Sequence, residues 1–519
     1  AELARNPNTV PALAGLIDRP VHELENLIRK SSFSAIDLVT VADHVDVGLL
    51  SKLEERKSDL PGVVIAQQPV RSYPQGALCT HILGVTRPIS AERLQKLRSR
   101  GYRGGDQIGV EGLEATYESD LRGKDGGDVV AVDARGRMLR RVDRMNPVPG
   151  HTLRLSIDLR LQKVAYDALQ QPLALGHPGA AVAVDPNTGA VLLFVSTPSY
   201  DLNRYGEMYN ALVKNPLRPL INRASGSHYP CGSTFKLVTS AAGLVSGSIT
   251  PQTREYCSGS IRIGNHTFHC DNRSGHGSLD FEHALGASCD VYFWRVAQLV
   301  GGSELAHWAT VFGLGARTGI DLPRAVDTAG IVPSEEWKAS HKLGPWSQGD
   351  LLNMAIGQGY VGVSPLQLAD YTAALANGGT LYRPQLVSEI DDVSTGSPRA
   401  IRKMRPDARG RLGLPEPDRE AIVAGMEDVF ERGGTGYGLA IPGLEVAAKT
   451  GTAEAYFGRR HASHSVFVCF APVDHPRIAV AVLVEGAGHG SDVAGPIARR
   501  ILCAFFGIHA IQPPIRTGF

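Results

Sequence analysis

The chain has 519 residues, of which 43% are hydrophobic and 20% are charged, and its formal net charge is +1. This composition is typical of a globular protein of about two to four domains, and the near-zero charge argues against a nucleic-acid partner. Seven cysteines are too few for a disulfide framework in a chain of this length. No apolar run approaches the ~18 residues of a membrane span, and no signal peptide is recognisable.

Residues 1–150 are predicted to form a separate, charge-rich domain of mixed helix and strand. The stretches PVHELENLIRK and VGLLSKLEERKS have the spacing of short amphipathic helices. Between glycine-rich ends, Leu113, Tyr117 and Leu121 form a further helical stripe. The basic run RGRMLRRVDRMNPVPG is interpreted as a solvated strand or loop face, and its Pro-x-Pro-Gly end predicts a linker near residue 150.

The sequence pattern changes after residue 150, and residues 151–519 are predicted to form an α+β domain. HTLRLSIDLRLQKVAYDALQ predicts a strand that leads into a helix, and AAVAVDPNTGAVLLFVS predicts a hairpin that turns at Asn-Thr-Gly. Helices are predicted at 280–300 and 350–378, and SVFVCFAPVDHPRIAVAVLVEG predicts a second hairpin. Strands, then helices, then strands again indicate one sheet with helices packed on it. Residues 391–411 are predicted to be a mobile loop.

The stretch HYPCGSTFKLVTS raises the question whether Ser233 caps a helix or acts as a nucleophile. A serine at a helix start is usually an N-cap, and Ser-x-x-Lys is common by chance. The predicted helix from Ser233 to Val245 has almost no polar face, and a lysine on a buried helix is costly unless it has partners or a function. Residues three apart share a helix face, so Lys236 should meet Ser233 and could accept its proton.

Two further stretches extend this pattern, GASCDVYFW and EVAAKTGTAEAY. In isolation the first is interpreted as a helix start and the second as a strand with a turn. These two stretches follow Ser-x-x-Lys in the same order as the Ser-Asp-Asn and Lys-Thr-Gly motifs of penicillin-binding proteins and class A β-lactamases, and they are similar to those motifs. The candidate residues that they contribute are Ser288, Asp290, Lys449, Thr450, Gly451 and Thr452.

With these motifs the chain resembles the class B penicillin-binding proteins, the transpeptidases that cross-link bacterial peptidoglycan. The resemblance covers most of the chain. The family's pedestal motif resembles the stretch RSYPQGALCTHILG. Two signatures of the family's transpeptidase domain resemble the stretches AIGQGYVGVSPLQLADYTAALANGG and GTGYGLAIPGLEVAAKTGTAEAY. Asp290 stands where asparagine is usual, as in elongation-type members, the penicillin-binding protein 2 group. The family's N-terminal membrane helix is missing, so we expect an ectodomain.

The resemblance implies an antiparallel sheet flanked by helices, with an N-terminal pedestal domain. It also implies a serine enzyme that acts on D-Ala-D-Ala stem peptides during cell-wall elongation and that β-lactams acylate at Ser233. Lys236 would be the general base, and Ser288 would relay a proton to the leaving amine. Asp290 would position Lys236, although a neighbouring carboxylate favours protonated lysine.

The Lys-Thr-Gly strand is expected to bind the substrate. Lys449 would supply positive charge beside Ser288, and the hydroxyls of Thr450 and Thr452 would bind the terminal carboxylate, with Gly451 between them. Backbone N–H groups of Ser233 and Thr452 would form the oxyanion hole. An extended peptide could then add to the strand that carries these groups.

The resemblance further implies a place on the extracytoplasmic, periplasmic face of the bacterial inner membrane. Its expected partners are a SEDS-type membrane glycosyltransferase and scaffold proteins of the elongation complex. The alternatives are a β-lactam-sensing receptor domain, a D,D-carboxypeptidase or β-lactamase-like hydrolase, and a catalytically inactive scaffold. A class A β-lactamase would have about half this length.

A Cys/His-rich segment at about 255–290 contains Cys257, Cys270, His276 and Cys289. Three thiols and an imidazole are a common structural zinc set, and a segment this poor in apolar residues would gain stability from a metal ion. Elongation-type relatives also carry a metal site in this segment in some lineages. A disulfide or unpaired buried thiols are the alternatives. The spare candidate ligands are His266, His269, His283 and Asp271.

Overall fold

The structure is a computed structural model, and it describes residues 6–31, 39–42, 45–65, 70–132, 138–457 and 460–517. The chain divides into two compact units. One comprises the residues up to Tyr73 together with Gly84–Ala115, and the other comprises Pro74–Leu83 together with Thr116–Phe519. Residues 135–137 of the predicted basic run lie outside the described residues. The domain boundary near residue 150 stays a prediction.

The α-helices of the described residues are numbered here in chain order. They are α1 (Thr9–Leu16), α2 (Val21–Ser31), α3 (Val47–Glu55), α4 (Thr80–Leu83), α5 (Ala91–Leu97), α6 (Gly112–Thr116), α7 (Glu118–Leu121), α8 (Leu159–Ala174), α9 (Tyr205–Lys214), α10 (Lys236–Val245), α11 (Phe281–Gly286), α12 (Asp290–Val300), α13 (Gly302–Val311), α14 (Glu335–Ser340), α15 (Gln348–Ala355), α16 (Pro365–Ala376), α17 (Glu416–Glu427) and α18 (Ala494–Phe506). None of them is both long and apolar enough to cross a lipid bilayer.

The β-strands of the described residues are numbered in the same way. They are β1 (Thr86–Pro88), β2 (Gln107–Gly109), β3 (Gly127–Val132), β4 (Met138–Met145), β5 (Thr152–Leu155), β6 (Gly179–Val184), β7 (Val191–Thr197), β8 (Glu255–Cys257), β9 (Ser260–Ile263), β10 (His266–His269), β11 (Gly277–Leu279), β12 (Thr380–Tyr382), β13 (Val387–Asp392), β14 (Arg399–Lys403), β15 (Ala408–Arg411), β16 (Ala447–Phe457), β17 (Arg460–Ala471) and β18 (Ile478–Val484).

The first unit confirms the two predicted amphipathic helices as α2 and α3. Leu24 of α2 and Leu53 of α3 pack with Leu13 of α1 in a small apolar core. Helix α3 begins where the Asp46 carboxylate accepts a hydrogen bond of 2.7 Å from the backbone N–H of Leu49. This side-chain cap satisfies one of the unpaired donors of the first helical turn.

The second unit is built on a five-stranded antiparallel sheet with the order β16–β17–β18–β6–β7. Apolar runs on either side of a turn predicted both hairpins, β6–β7 and β17–β18. Apolar side chains of α8 and α18 pack on one face of the sheet. Helix α16, which is buried along its whole length, packs against β6, β17 and β18. Helices packed on one central sheet confirm the predicted α+β class, and β16 is left as an edge strand.

Predicted segments differ from the structure in several places, among them the helix expected at 280–300, which is interrupted at 287–289 between α11 and α12. Residues 391–411 were expected to form a loop, but they contribute the end of β13 and the strands β14 and β15. Every residue of β14 is exposed, so the strand has no apolar alternation that could reveal it, and pairing with β13 holds it. The helix expected at 350–378 is interrupted at 356–364, where Gly357 and Gly359 adopt a φ of +69° that ends α15.

Candidate active site

Ser233 lies in a single 3₁₀ turn, Gly232–Phe235, and α10 begins only at Lys236. Gly232 has a φ of +58°, and a Cβ atom at this position would lie 2.5 Å from the Thr452 carbonyl oxygen. Only glycine therefore lets this turn approach β16 so closely. The expected continuous helix from Ser233 is one turn shorter in the structure. As a result Ser233 stays partly exposed, whereas Lys236 is fully buried.

The Lys236 amine joins the first motif to the second. Its Nζ lies 2.6 Å from the Ser288 carbonyl oxygen, 3.1 Å from Ser288 Oγ and 2.7 Å from Asp290 Oδ1. An ammonium has three donors, and these contacts use all of them. Among the hydrogen bonds of the described residues, none joins Lys236 to Ser233 Oγ. Sequence spacing predicted that contact, and the structure instead directs the amine to the Ser288–Asp290 turn.

Ser288 has an unusual backbone conformation, with a φ of +56°. Such a conformation in a residue other than glycine costs about 1–3 kcal/mol and persists where the surroundings hold it. Here the strained turn directs both the carbonyl and the hydroxyl of Ser288 towards the Lys236 amine. Helix α12 begins two residues later at Asp290, with Cys289 as its extended N-cap residue.

The Asp290 carboxylate is buried and uses both of its oxygens. Oδ1 pairs with Lys236, and Oδ2 accepts a hydrogen bond of 3.1 Å from the backbone N–H of Asp271. Burial raises the pKa of Asp290 above its ordinary value, while the nearby Lys236 lowers it. The bond from Asp271 links the Cys/His-rich segment directly to the motif carboxylate.

Lys449 of β16 is fully buried as well. Burial lowers the pKa of its amine well below the ordinary value, and the positive charge of Lys236 lowers it further. Its Nζ donates to the Thr450 carbonyl oxygen at 3.3 Å. The resemblance led us to expect a positive charge here, and burial acts against that charge.

The Lys-Thr-Gly strand is held by residues to which we assigned no role from the sequence. Thr450 Oγ1 lies 2.7 Å from Thr435 Oγ1, and the Gln358 amide donates to the Thr452 carbonyl oxygen at 3.3 Å. The backbone N–H of Gly490 lies 3.4 Å from Thr452 Oγ1. Thr435 and Gln358 lie within the two stretches that resemble signatures of the family. This resemblance is the only sequence feature that points to a role for them.

The structure brings Cys257, Cys270, His276 and Cys289 together. Their ligand atoms all lie within 4.8 Å of one another, and the three cysteines are buried. His276 Nδ1 is 3.6 Å from the sulfurs of both Cys257 and Cys270. All seven cysteines lie in described residues and are free thiols, so the structure has no Cys257–Cys270 disulfide. The spare candidates His266, His269, His283 and Asp271 are outside this cluster.

The electrostatics of the cluster favour a thiolate at Cys270 and a protonated ring at His276. A hydrogen bond with Cys289 lowers the pKa of Cys270 to about 3, and a hydrogen bond with Cys270 raises the pKa of His276 to about 9. Strand β8 ends at Cys257 and pairs with β11, which places Cys257 opposite Gly277 beside His276. The backbone of the segment is thus folded so that its thiols converge.

Comparison with known proteins agrees with these motifs. Residues 179–503 match the family described as the penicillin binding protein transpeptidase domain, and residues 2–155 match the penicillin-binding protein dimerisation domain. The peptidoglycan D,D-transpeptidase MrdA of Acinetobacter baumannii is 35% identical over 464 residues, which cover 86% of this chain and 67% of that protein.

Solved structures show the same relationship. Penicillin-binding protein 2 of Helicobacter pylori, in its complex with MreC, is 26% identical with a TM-score of 0.82 and covers 98% of this chain and 92% of its own. A chain from a peptidoglycan synthase complex that coordinates polymerization and crosslinking is 30% identical, with a TM-score of 0.73 and coverage of 95% and 86%. This chain therefore belongs to the penicillin-binding protein transpeptidases, in the penicillin-binding protein 2 group of peptidoglycan D,D-transpeptidases.

Proposed function

We propose that Ser233 is the nucleophile with which this transpeptidase cross-links peptidoglycan stem peptides. Ser233 Oγ attacks the carbonyl carbon between the two terminal D-alanines, the peptide C–N bond breaks, and D-alanine leaves with a proton on its amine. An amine of a second stem peptide then attacks the acyl-enzyme, loses a proton and forms the new amide, while Ser233 recovers its hydrogen. A β-lactam enters the first step through its ring amide and stays on Ser233.

The buried contact between Lys236 and the Ser288–Asp290 turn carries this proposal. It couples Ser288 Oγ to the Lys236 amine at 3.1 Å, and Lys236 is three residues from Ser233 along the chain. In its neutral form, after it has lost one of the three protons with which it donates, Lys236 serves as the base towards Ser233, and Ser288 passes the proton to the leaving amine. Asp290 holds Lys236 in place at 2.7 Å.

Strand β16 is the proposed binding edge for the donor peptide. It is the outermost strand of its sheet, so an extended peptide can pair with its free edge. In this proposal the hydroxyls of Thr450 and Thr452 bind the terminal carboxylate, with Gly451 between them. The close approach of Gly232 to Thr452 supports an oxyanion hole that is made from the backbone N–H groups of Ser233 and Thr452.

The reaction is tested with a donor pentapeptide that ends in D-Ala-D-Ala and an amine-bearing acceptor peptide. We expect release of D-alanine and formation of a cross-linked dimer. D-alanine release without dimer in the presence of the acceptor would show a hydrolase instead. A stable adduct with penicillin but no turnover of the donor would favour a receptor domain.

We further infer that the chain acts on the extracytoplasmic, periplasmic face of the bacterial inner membrane, where its substrate lies. Its partners there are proposed to be a SEDS-type glycosyltransferase and scaffold proteins of the elongation complex, which dock on the pedestal, residues 1–150. The H. pylori relative in complex with MreC and the relative from a synthase complex support this proposal. The outer side of α3 offers a docking surface, because Val47 is 78% exposed and Leu50 shares its helix face.

The docking proposal predicts that a Val47→Asp, Leu50→Asp double variant loses most of its stimulation of glycan polymerisation. A charge at the centre of an apolar contact leaves an unpaired buried group in the complex. Polymerisation by the purified glycosyltransferase is measured with each variant, and Lys52→Asp, an exposed position on another side of α3 with the same change in charge, is the control. Full stimulation by the double variant, with unchanged penicillin acylation, would refute docking on α3.

We also propose that Cys257, Cys270, His276 and Cys289 hold one structural zinc ion. Three sulfurs and one imidazole nitrogen are a complete tetrahedral set for zinc, and the ligand atoms already converge within 4.8 Å. A bound zinc ion would fix the segment whose Asp271 N–H donates to Asp290. The site would thus support the position of Asp290, and through it Lys236, without taking part in the reaction.

The zinc proposal predicts that Cys270→Ser lowers thermal stability and slows acylation together. Loss of a supporting contact to a site residue typically costs about 10–100-fold in activity. Elemental analysis of protein that was purified without added metal should show about one zinc per chain. Cys503→Ser, another buried free thiol in α18, is the matched control and should keep its zinc. Metal-free protein with a Cys257–Cys270 disulfide in its peptide map would contradict the proposal.

A further inference from the structure

Thr435 lies between the second and the third sequence motif and contacts the surroundings of both. Its backbone N–H donates to the Gly286 carbonyl oxygen at 3.2 Å, and Gly286 is two residues before Ser288. Its Oγ1 lies 2.7 Å from Oγ1 of Thr450 in the Lys-Thr-Gly motif. The proposed acyl transfer assigns no role to the Thr435 hydroxyl, although this group contacts a hydroxyl that is expected to bind substrate.

A tight turn holds Thr435 in this position. The backbone N–H of Gly436 donates to the Val429 carbonyl oxygen at 2.9 Å, and Val429 is fully buried in the apolar core of the second unit. A Cβ atom at Gly434 would lie 2.3 Å from the Asp428 carbonyl oxygen, so only glycine fits there. Because backbone contacts fix the turn, removal of the Thr435 hydroxyl should leave its position unchanged.

The Thr435 hydroxyl has one hydrogen and two acceptors within reach. Its Oγ1 is 3.4 Å from the Gly286 carbonyl oxygen and 2.7 Å from Thr450 Oγ1. Bonds between a hydroxyl and an oxygen are usually about 2.7–2.8 Å long, and the Gly286 carbonyl already accepts the Thr435 N–H. The geometry thus favours donation to Thr450. A hydroxyl that accepts such a bond keeps its own hydrogen for another acceptor.

The second hydroxyl of the strand has a matching arrangement. The backbone N–H of Gly490, which can only donate, lies 3.4 Å from Thr452 Oγ1. Thr450 and Thr452 are two residues apart on β16, so their side chains share one face at a spacing of roughly 7 Å. Within the described residues neither Oγ1 has a further hydrogen bond. Two hydroxyls that accept from the protein and keep their hydrogens are suited to one carboxylate, whose oxygens only accept.

We propose that Thr435 is a positioning residue for the terminal carboxylate of the donor peptide. The carboxylate has no hydrogen to give, so Thr450 donates to it and Thr435 donates to Thr450. In such a chain of hydrogen bonds each member polarises the next and strengthens it. Thr435 does not touch the substrate, and it sets the preference for donors with a free carboxylate through Thr450. The inference rests on the proposed function and deepens its substrate specificity.

Benzylpenicillin and its methyl ester test this inference, because the ester replaces the carboxylate with a neutral group. The measured quantity is the ratio of their acylation rates at Ser233, in which general damage to the fold cancels. Thr435→Val, which keeps the side-chain shape without the hydroxyl, should lower the acid-to-ester ratio about 3–10-fold, as for the loss of one hydrogen bond. Thr435→Ser keeps the hydroxyl and should restore most of the ratio.

Thr310→Val is the matched control. It removes an exposed hydroxyl of α13 that donates to the Ala306 carbonyl oxygen at 3.0 Å, and it should leave the ratio unchanged. If Thr435→Val does not fold, Thr435→Ala removes the same hydroxyl and should give the same lowered ratio. A wild-type ratio in the folded Thr435 variant would overturn the inference and leave the proposed function standing.

A double variant shows whether Thr435 acts through Thr450. Thr450→Val alone should lower the acid-to-ester ratio, and the addition of Thr435→Val should lower it no further, because the two hydroxyls form one chain. Losses that multiply in the double variant would mean that Thr435 acts independently of Thr450, and they would overturn the inference. Absence of any adduct on Ser233 of the wild-type protein would instead reject the proposed function itself.

Discussion

The Ser233→Ala variant is expected to form no covalent adduct with benzylpenicillin, while the wild-type protein gains one acyl group per chain. The hydroxyl is the proposed attacking atom, and it lies on a partly exposed turn against β16. Within the described residues it has no hydrogen bond, so its removal should leave the fold intact. Intact-protein mass spectrometry measures the adduct, and thermal unfolding checks the fold.

Ser394→Ala, a change at an exposed serine, is the control and should be acylated as fast as the wild type. Either of two results would exclude Ser233 as nucleophile. One is an adduct on a folded Ser233→Ala protein at the wild-type rate. The other is a wild-type adduct that maps to a different residue.

The Lys236→Ala variant should acylate about 10²–10⁴-fold more slowly than the wild type, since this is the usual contribution of a general base. The change also removes a buried ion pair with Asp290, and such a loss can destabilise a protein by about 3–5 kcal/mol. Lys338→Ala separates the two effects. Lys338 is another buried lysine, and it pairs with Asp350 at 2.5 Å.

Both lysine variants should lose thermal stability to a similar extent, but only Lys236→Ala should lose acylation. Stopped-flow acylation with a fluorescent penicillin gives the rate, and calorimetry gives the unfolding temperature. If Lys236→Ala and Lys338→Ala were acylated at similar rates, Lys236 would have a structural role only.

The catalytic motifs could be predicted from the sequence because the chemistry fixes residue types at short spacings. Ser233 and Lys236 are three residues apart, and Ser288 and Asp290 are two apart, so each pair is visible locally. The two sheet hairpins were predictable for a similar reason, since two apolar runs separated by turn residues are a local pattern. The motifs lie close together in space because of the fold. The family resemblance was the basis on which that fold was predicted.

The remaining features depend on contacts between distant parts of the chain. Nothing local to Thr435 or Gln358 shows that they contact β16. The positive φ of Ser288 and the path of the Lys236 amine arise from tertiary packing that overrides the simple helix spacing. Likewise the low pKa of Lys449 follows from its burial beside Lys236, which sequence distance does not reveal.

The central claim is that Ser233 carries the acyl group of the natural donor, and it can be tested by trapping that intermediate. The wild-type protein is mixed with a donor pentapeptide, quenched in acid within its first turnovers and digested for mass spectrometry. We predict that the peptide containing Ser233 gains the mass of the donor minus one D-alanine. Release of D-alanine without any acyl group on Ser233, or with the acyl group on another residue, would contradict the account.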